Sequence, residues 1–167
     1  MATIINASNT TGLTLTSDLS GVLQLQQNGV AMAPVSVAPA FGAYANTSTT
    51  VTSGGYTKIN YNYEDFDTNS NYSSSRFTPT VAGYYQISAG IGINTTPTSI
   101  YCIIYKNGTA WIGNYTSATT LAVTISALVY LNGSTDYVEI YGSVGSTQGT
   151  YNDRTQTFFT GGLVRAA

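Results

Sequence analysis

Arg76-Phe77-Thr78-Pro79-Thr80-Val81-Ala82-Gly83-Tyr84-Tyr85-Gln86-Ile87-Ser88 decides the architecture, because a Pro/Gly turn leads there into a strict alternation of side chains. Tyr85, Ile87, Ala89, Ile91 and Ile93 fall on one face, with Tyr84, Gln86, Ser88, Gly90 and Gly92 between them. That period of two is the mark of a half-buried strand, in which successive side chains point to opposite faces; a helix cannot use it.

The same signals repeat outward from that stretch. On its C-terminal side Asn94-Thr95-Thr96-Pro97 predicts a turn, and Ile100-Tyr101-Cys102-Ile103-Ile104-Tyr105 is apolar on both faces, the pattern of a strand covered on both sides. Lys106-Asn107-Gly108-Thr109 predicts a tight hairpin returning through Trp111 and Ile112, since Asn-Gly accepts the left-handed backbone of a two-residue turn. Leu121, Val123, Ile125, Ala127, Val129 and Leu131 form a second long alternation, ended by Asn132-Gly133-Ser134. Tyr137 to Tyr141 and Thr157 to Val164 complete a series of short strands at sandwich-like spacing. On the N-terminal side Ala40-Phe41-Gly42-Ala43-Tyr44 predicts a strand, Ser53-Gly54-Gly55 a turn, and the alternation Ile59, Tyr61, Tyr63 a further strand. Glu64 to Ser75 predicts a polar surface loop, too long for a hairpin turn.

Composition points the same way. A chain of 167 residues fits one domain of ordinary size that can bury a core without staples. Only 7% of residues are charged, while 14 tyrosines and abundant Thr, Ser and Asn keep the surface polar without ions. β-branched and aromatic residues suit pleated strands and Gly, Asn and Ser suit turns, so an all-β fold is expected. Five Lys plus Arg and a formal net charge of −2 leave no basic footprint for nucleic acid or for an anionic membrane.

Met1-Ala2-Thr3-Ile4-Ile5-Asn6 lacks the positive flank and apolar run of a signal peptide, and no later segment approaches the length of a membrane-spanning helix. The expected product therefore stays in the cell that makes it until released. Asn-x-Ser/Thr triplets at Asn6, Asn46, Asn94 and Asn107 then read as compositional.

The residue types that carry chemistry are scarce. Without histidine the chain lacks the commonest general base and transition-metal ligand. Cys102, the single cysteine, sits in an apolar run and reads as a small buried hydrophobe. Glu64, Asp65 and Asp67 match no EF-hand spacing and read as a solvated loop, and nothing marks a second carboxylate across a cleft for a glycosidase pair. Arg76, Arg154 and Arg165 are too scattered along the sequence to define an anion site. No enzyme, cofactor or metal centre is expected. Tyr44, Tyr72, Tyr115 and Tyr151, near expected loops, are the candidates for contact with a sugar or partner protein, whereas tyrosines on strands default to packing.

Residues 1–38 differ from the rest. Short apolar patches (Ile4-Ile5, Leu13 with Leu15, Val22-Leu23 with Leu25, Val30 with Met32) are too sparse to bury a core of their own. Leu13-Thr14-Leu15 and Val22-Leu23-Gln24-Leu25-Gln26 predict short strands, the latter in a hairpin through Gln27-Asn28-Gly29 to Val30-Ala31-Met32. An isolated hairpin is marginal in water. A disordered tail is one reading; an arm that orders against partner chains through Ile4, Ile5, Leu13, Leu15, Val22, Leu23 and Leu25 is the favoured one. Pro34 and Pro39 mark a linker, which gives an anchoring arm and linker at 1–38 and a globular domain at 39–167.

In that order the pieces resemble a known family. Pro39-Ala40-Phe41-Gly42-Ala43 is similar to the opening strand of the globular head of complement component one, subcomponent q, whose antiparallel jelly-roll β-sandwich is shared with tumour-necrosis-factor ligands. Phe77-Thr78-Pro79 followed by Gly83-Tyr84-Tyr85-Gln86-Ile87 resembles the family's core signature. Tyr105-Lys106-Asn107-Gly108 resembles its hairpin, and Phe158-Phe159-Thr160-Gly161-Gly162-Leu163-Val164 its closing strand. The resemblance covers nearly all of 39–167. Asn132-Gly133-Ser134-Thr135-Asp136 departs from the family's common Gly-Asp, and no collagen-like repeat occurs in the chain, so complement function does not carry over. Thr14 to Met32, with Ser20-Gly21-Val22-Leu23-Gln24-Leu25-Gln26-Gln27-Asn28-Gly29, resembles instead the N-terminal segments of bacteriophage structural proteins.

The resemblance implies a homotrimer. A strand apolar on both faces needs cover that a two-sheet sandwich does not give its outer face, so Tyr101, Ile103 and Tyr105 are expected against neighbouring subunits, with Tyr85, Ile87 and Leu163 in the monomer core. The expected role is a phage virion surface protein, made in the host cytoplasm: a trimeric capsid decoration or cement protein docked by its arm on capsid or tail proteins. The alternative is a tail-fibre or spike tip that binds a host-surface glycan. A sugar hydrolase and a secreted cytokine-like ligand are the remaining alternatives.

Overall fold

The structure, a computed structural model, describes residues 25–27, 30–32, 38–117 and 120–167. The chain divides into two units, Met1–Pro34 and Val35–Ala167. In the first, β1 (Leu25–Gln27) and β2 (Val30–Met32) pair antiparallel with Gln27 opposite Val30, the register of a two-residue connection. Leu13-Thr14-Leu15 and Val22-Leu23-Gln24 lie outside the described residues.

In the second unit the strands follow as β3 (Ala40–Tyr44), β4 (Thr50–Val51), β5 (Thr57–Lys58), β6 (Tyr63–Asp67), β7 (Tyr72–Ser73) and β8 (Arg76–Phe77). Then come β9 (Ala82–Gly92), β10 (Ser99–Lys106), β11 (Thr109–Ser117), β12 (Ala122–Asn132), β13 (Val138–Val144), β14 (Gln148–Gly149) and β15 (Phe158–Ala166). No helix occurs among the described residues. One antiparallel sheet has the order β12-β9-β15-β3-β6; the other runs β11-β10-β13-β8-β7, with β5 also on β13. This is an antiparallel jelly roll.

The alternation that opened the sequence is β9. Its inward residues Tyr85, Ile87, Ala89 and Ile91 are fully buried, and β12 lies beside it with Val129 opposite Tyr85 and Ile125 opposite Ala89. From the second sheet Ile100, Cys102 and Ile104 of β10 and Val138 and Ile140 of β13 complete the same core, and Leu163 packs against it. Each fully buried aliphatic side chain contributes about 1.5–3 kcal/mol, so this shared interior holds the sheets together.

One end of the core is aromatic. Phe41 of β3 stacks on Phe77 of β8 with ring centroids 4.4 Å apart and on Tyr72 at 5.0 Å, and meets Phe159 edge-on at 4.7 Å. Gly83 is required by close approach: a Cβ there would lie 2.6 Å from Leu163 Cδ1 and would run into the Arg165 carbonyl. Both residues of the β10–β11 turn adopt the left-handed conformation, Asn107 at φ 52° and Gly108 at φ 76°, as the Asn-Gly signal predicts.

Two expectations are corrected. Ile59 and Tyr61 are buried as predicted, but they do not form a ladder with Tyr63. The Ile59 amide bonds to the Ile140 carbonyl and the Tyr61 amide to Ser75 Oγ, as the backbone crosses from one sheet to the other. The stretch Glu64 to Ser75 is not a surface loop throughout, because it contains most of the edge strand β6 and all of β7. Asp67 ties the turn between them by accepting the Tyr72 amide on Oδ2 (2.6 Å) and the Asn69 amide on Oδ1 (3.3 Å).

Candidate functional site

The two sheets present different outer faces. On the β12-β9-β15 face the outward positions of the two long alternations carry Gln86, Ser88, Thr124 and Ser126, interrupted by bulky apolar groups. Leu128 is 54% exposed, and Tyr84, Tyr130 and Val164 are exposed with it. Tyr84 and Tyr130 are cross-strand partners with rings 5.5 Å apart. The polar residues bond to each other: Ser88 and Ser126 hydroxyls lie 2.7 Å apart, and Gln86 Nε2 donates to Ser126 Oγ. A broad sheet face with four exposed apolar side chains is the kind of surface that packs against another protein.

On the outer face of the other sheet, Tyr101, Ile103 and Tyr105 point away from the core as alternation requires. Their own chain covers them in part. Tyr101 packs on Tyr115 at 4.5 Å, its direct partner on β11, and Tyr105 stacks on Tyr141 at 4.0 Å. Ile103 is left only 6% exposed. Part of the cover for the two-sided apolar strand is thus supplied within one chain, while Tyr101 and Tyr105 stay half-buried. Beside them a shallow hollow of about 280 Å³ is lined by Tyr101 and Ile103 together with Tyr56, Tyr115 and Trp111, the last 60% exposed.

The four loop tyrosines do not form one surface. Tyr44, at the end of β3, packs on Tyr63 at 4.8 Å and carries the Arg154 guanidinium 5.0 Å from its centroid, with Arg154 paired to Asp65. Tyr72 is a core residue, 8% exposed, with its hydroxyl donating 2.7 Å to the Tyr61 carbonyl and its ring stacked on Phe41. Burial also pushes the Tyr61 and Tyr72 hydroxyls well above the usual tyrosine range. Tyr115 lies on β11 rather than in a loop, and Tyr151 lies in the connection before β15, its amide donating to the Gly92 carbonyl. Leu25 lies on β1, while Ile4, Ile5, Leu13, Leu15, Val22 and Leu23 lie outside the described residues.

Among the described residues no group of three His, Cys, Asp or Glu is placed to hold a metal ion. Cys102 is buried, which pushes its thiol up to about 12. One polar cluster was not visible in the sequence. Lys58 of β5 and Arg76 of β8 both reach Glu139 of β13, because both short strands pair with β13.

The fold is a jelly roll similar to those of tumour-necrosis-factor ligands and complement heads. Among solved structures, the Eiger TNF from S. frugiperda matches with a TM-score of 0.63 at 10% identity, covering 78% of this chain and 94% of that one. The globular domain of zebrafish complement 1qA matches with a TM-score of 0.60 at 18% identity, over 77% and 99% of the two chains. The PRD1 vertex protein P5 matches with a TM-score of 0.57 at 15% identity, over 80% and 100%. At these identities the likeness establishes the fold alone. No protein-family model matches the chain, and neither does any curated protein sequence.

Proposed function

We propose that the chain is a structural protein of a bacteriophage virion surface: a homotrimeric capsid decoration protein that docks through residues 1–34 and displays the jelly roll outward. The open face of the β12-β9-β15 sheet carries this reading. Leu128, Tyr130, Tyr84 and Val164 stand exposed on a broad sheet among the described residues, the kind of surface a subunit interface uses. We assign the trimer contact to that face rather than to Tyr101, Ile103 and Tyr105, of which the two tyrosines already pack on Tyr115 and Tyr141. The likeness to a vertex protein and the phage-like sequence of Thr14 to Met32 support a place on a particle, and the separate N-terminal unit suits a clamp on neighbouring shell subunits.

Deletion of residues 1–33 tests the role. Particles that lose the protein and melt at lower temperature, with adsorption to the host unchanged, fit a cement. Abolished adsorption with unchanged shell stability fits a receptor-binding tip instead. That second reading draws on the exposed Trp111, Tyr56 and Tyr115 rim, an aromatic surface of the kind that stacks on sugars.

A further inference from the structure

We propose that the hollow beside Lys58 and Arg76 binds the carboxylate of an acidic sugar. Glu139, with its side chain 3% exposed, receives both cations on a single oxygen: Lys58 Nζ lies 2.7 Å and Arg76 Nε 2.8 Å from Oε1. One carboxylate against two cations leaves the cluster with one positive charge, in a chain with five basic residues altogether. A fully compensated structural ion pair would not need the second cation.

The guanidinium is set up to receive an anion. Its Nε is committed to Glu139 and its plane lies over the Tyr137 ring, with Cζ 3.9 Å from the centroid. Its two terminal nitrogens make no hydrogen bond to any described residue. Lys58 Nζ is held from a second side by the Ser74 carbonyl at 2.9 Å. Fixing both cations before the ligand arrives removes much of the ordering cost of binding.

Next to these groups lies a hollow of about 530 Å³, lined by Lys58 and Arg76 together with the hydroxyl residues Ser70, Ser73, Thr78 and Thr80. Its wall is braced by Asn71, whose Oδ1 accepts the Thr80 amide and whose Nδ2 donates to the Asn69 carbonyl. Ser70, Ser74 and Ser75 all have positive φ, a conformation that non-glycine residues hold only when the surroundings enforce it.

The ligand class follows from charge and shape. A guanidinium whose Nη1/Nη2 edge is free matches the two oxygens of a planar carboxylate. A single net positive charge balances a carboxylate better than a phosphate, which carries about −1.5 to −2 near neutral pH. The surrounding hydroxyls can both donate to and accept from the hydroxyls of a pyranose ring. The lining residues all belong to the Val35–Ala167 unit, so a chain that failed to attach to a shell should still bind the sugar acid.

Isothermal titration of the full chain with galacturonate, a galacturonate trisaccharide, glucose and inorganic phosphate tests this. Both uronates should bind, glucose at least about tenfold more weakly, and affinity for the uronates should fall as salt rises. A trisaccharide much tighter than the monosaccharide would identify a polysaccharide as the source; equal affinity would identify the free sugar acid. Arg76→Gln should weaken uronate binding about tenfold and Arg76→Lys should restore it only in part, because an ammonium lacks the paired N–H edge. Uronate and glucose binding equally, phosphate binding tightest, or salt-independent binding would each overturn the proposal, and none of these three needs a variant.

Discussion

Phe41 and Phe77, from opposite sheets and 36 positions apart in sequence, stack face to face with centroids 4.4 Å apart. Tyr72, Phe159 and Tyr85 pack around the pair. Phe41→Ala should therefore cost about 3–5 kcal/mol of unfolding free energy, the range for emptying an aromatic site that cannot collapse. A urea midpoint within experimental error of the parent chain would show that the two sheets do not depend on this stack.

The Tyr72 hydroxyl donates to the Tyr61 carbonyl in a buried setting. Tyr72→Phe keeps the ring and leaves that acceptor without its donor, for an expected loss of about 1–3 kcal/mol. Tyr115→Phe, on the exposed rim, serves as the control and should change stability by less than about 0.5 kcal/mol. Equal effects of the two would contradict the placement of Tyr72 in the core.

If subunits meet on the open face of the β12-β9-β15 sheet, Leu128→Glu buries a charge at the contact and should convert trimer to monomer in light scattering, with the fold retained by circular dichroism. Trp111→Glu on the other sheet should leave the trimer intact. The reverse pattern would move the interface to the β10–β11 face.

Acid sensitivity follows from the carboxylates. Burial pushes Glu139 up, but hydrogen bonds from Lys58 and Arg76 and their charges outweigh it and hold the group below the ordinary 4.5. The Asn107 amide, followed by Lys106, likewise lowers Asp136 despite opposing desolvation. A carboxyl with a folded pKa below its unfolded one adds stability above the unfolded value and loses it as pH falls through the folded value. With no histidine to titrate between, urea midpoints should be level from about pH 6 to 8 and decline below about pH 4.5. Glu139→Gln should shallow the acid limb, and an identical limb would rule this carboxylate out as a source.

Cys102 gives an independent probe of the interior. With its thiol pushed up to about 12 by burial, it should resist a thiol reagent at pH 8 until denaturant is added. Rapid labelling of the native protein would mean that β10 opens locally.

Much of the sandwich is legible in the sequence because its long strands are locally determined. The Tyr85 to Ile93 alternation, its counterpart from Val123 to Leu131 and the Asn107-Gly108 turn each state their conformation within a dozen residues. Glu64 to Ser75 does not. β6 and β7 are short and rich in polar residues, and β6 is paired by a partner well back in the chain, with Phe41 opposite Asp67, while β7 has only two residues on β8. The outer face of β10 was only partly legible for a related reason: sequence shows that Tyr105 points outward, but not that Tyr141 stacks on it from 36 positions away. The cluster at Glu139 was invisible because Lys58 lies 81 residues distant, and Arg76 looked scattered until β13 brought the two together.

The order β12-β9-β15-β3-β6 sets β15, Phe158–Ala166, between the two halves of its sheet. During synthesis β3 and β9 have no common neighbour until residues beyond 158 leave the ribosome, so Phe41 lacks its Phe159 partner and the sheet stays in two parts until then. Closure is then a single late insertion of one strand between two waiting edges. A nascent chain stalled before Phe158 should be degraded by protease, and one stalled far enough past Ala166 for that strand to emerge should resist it.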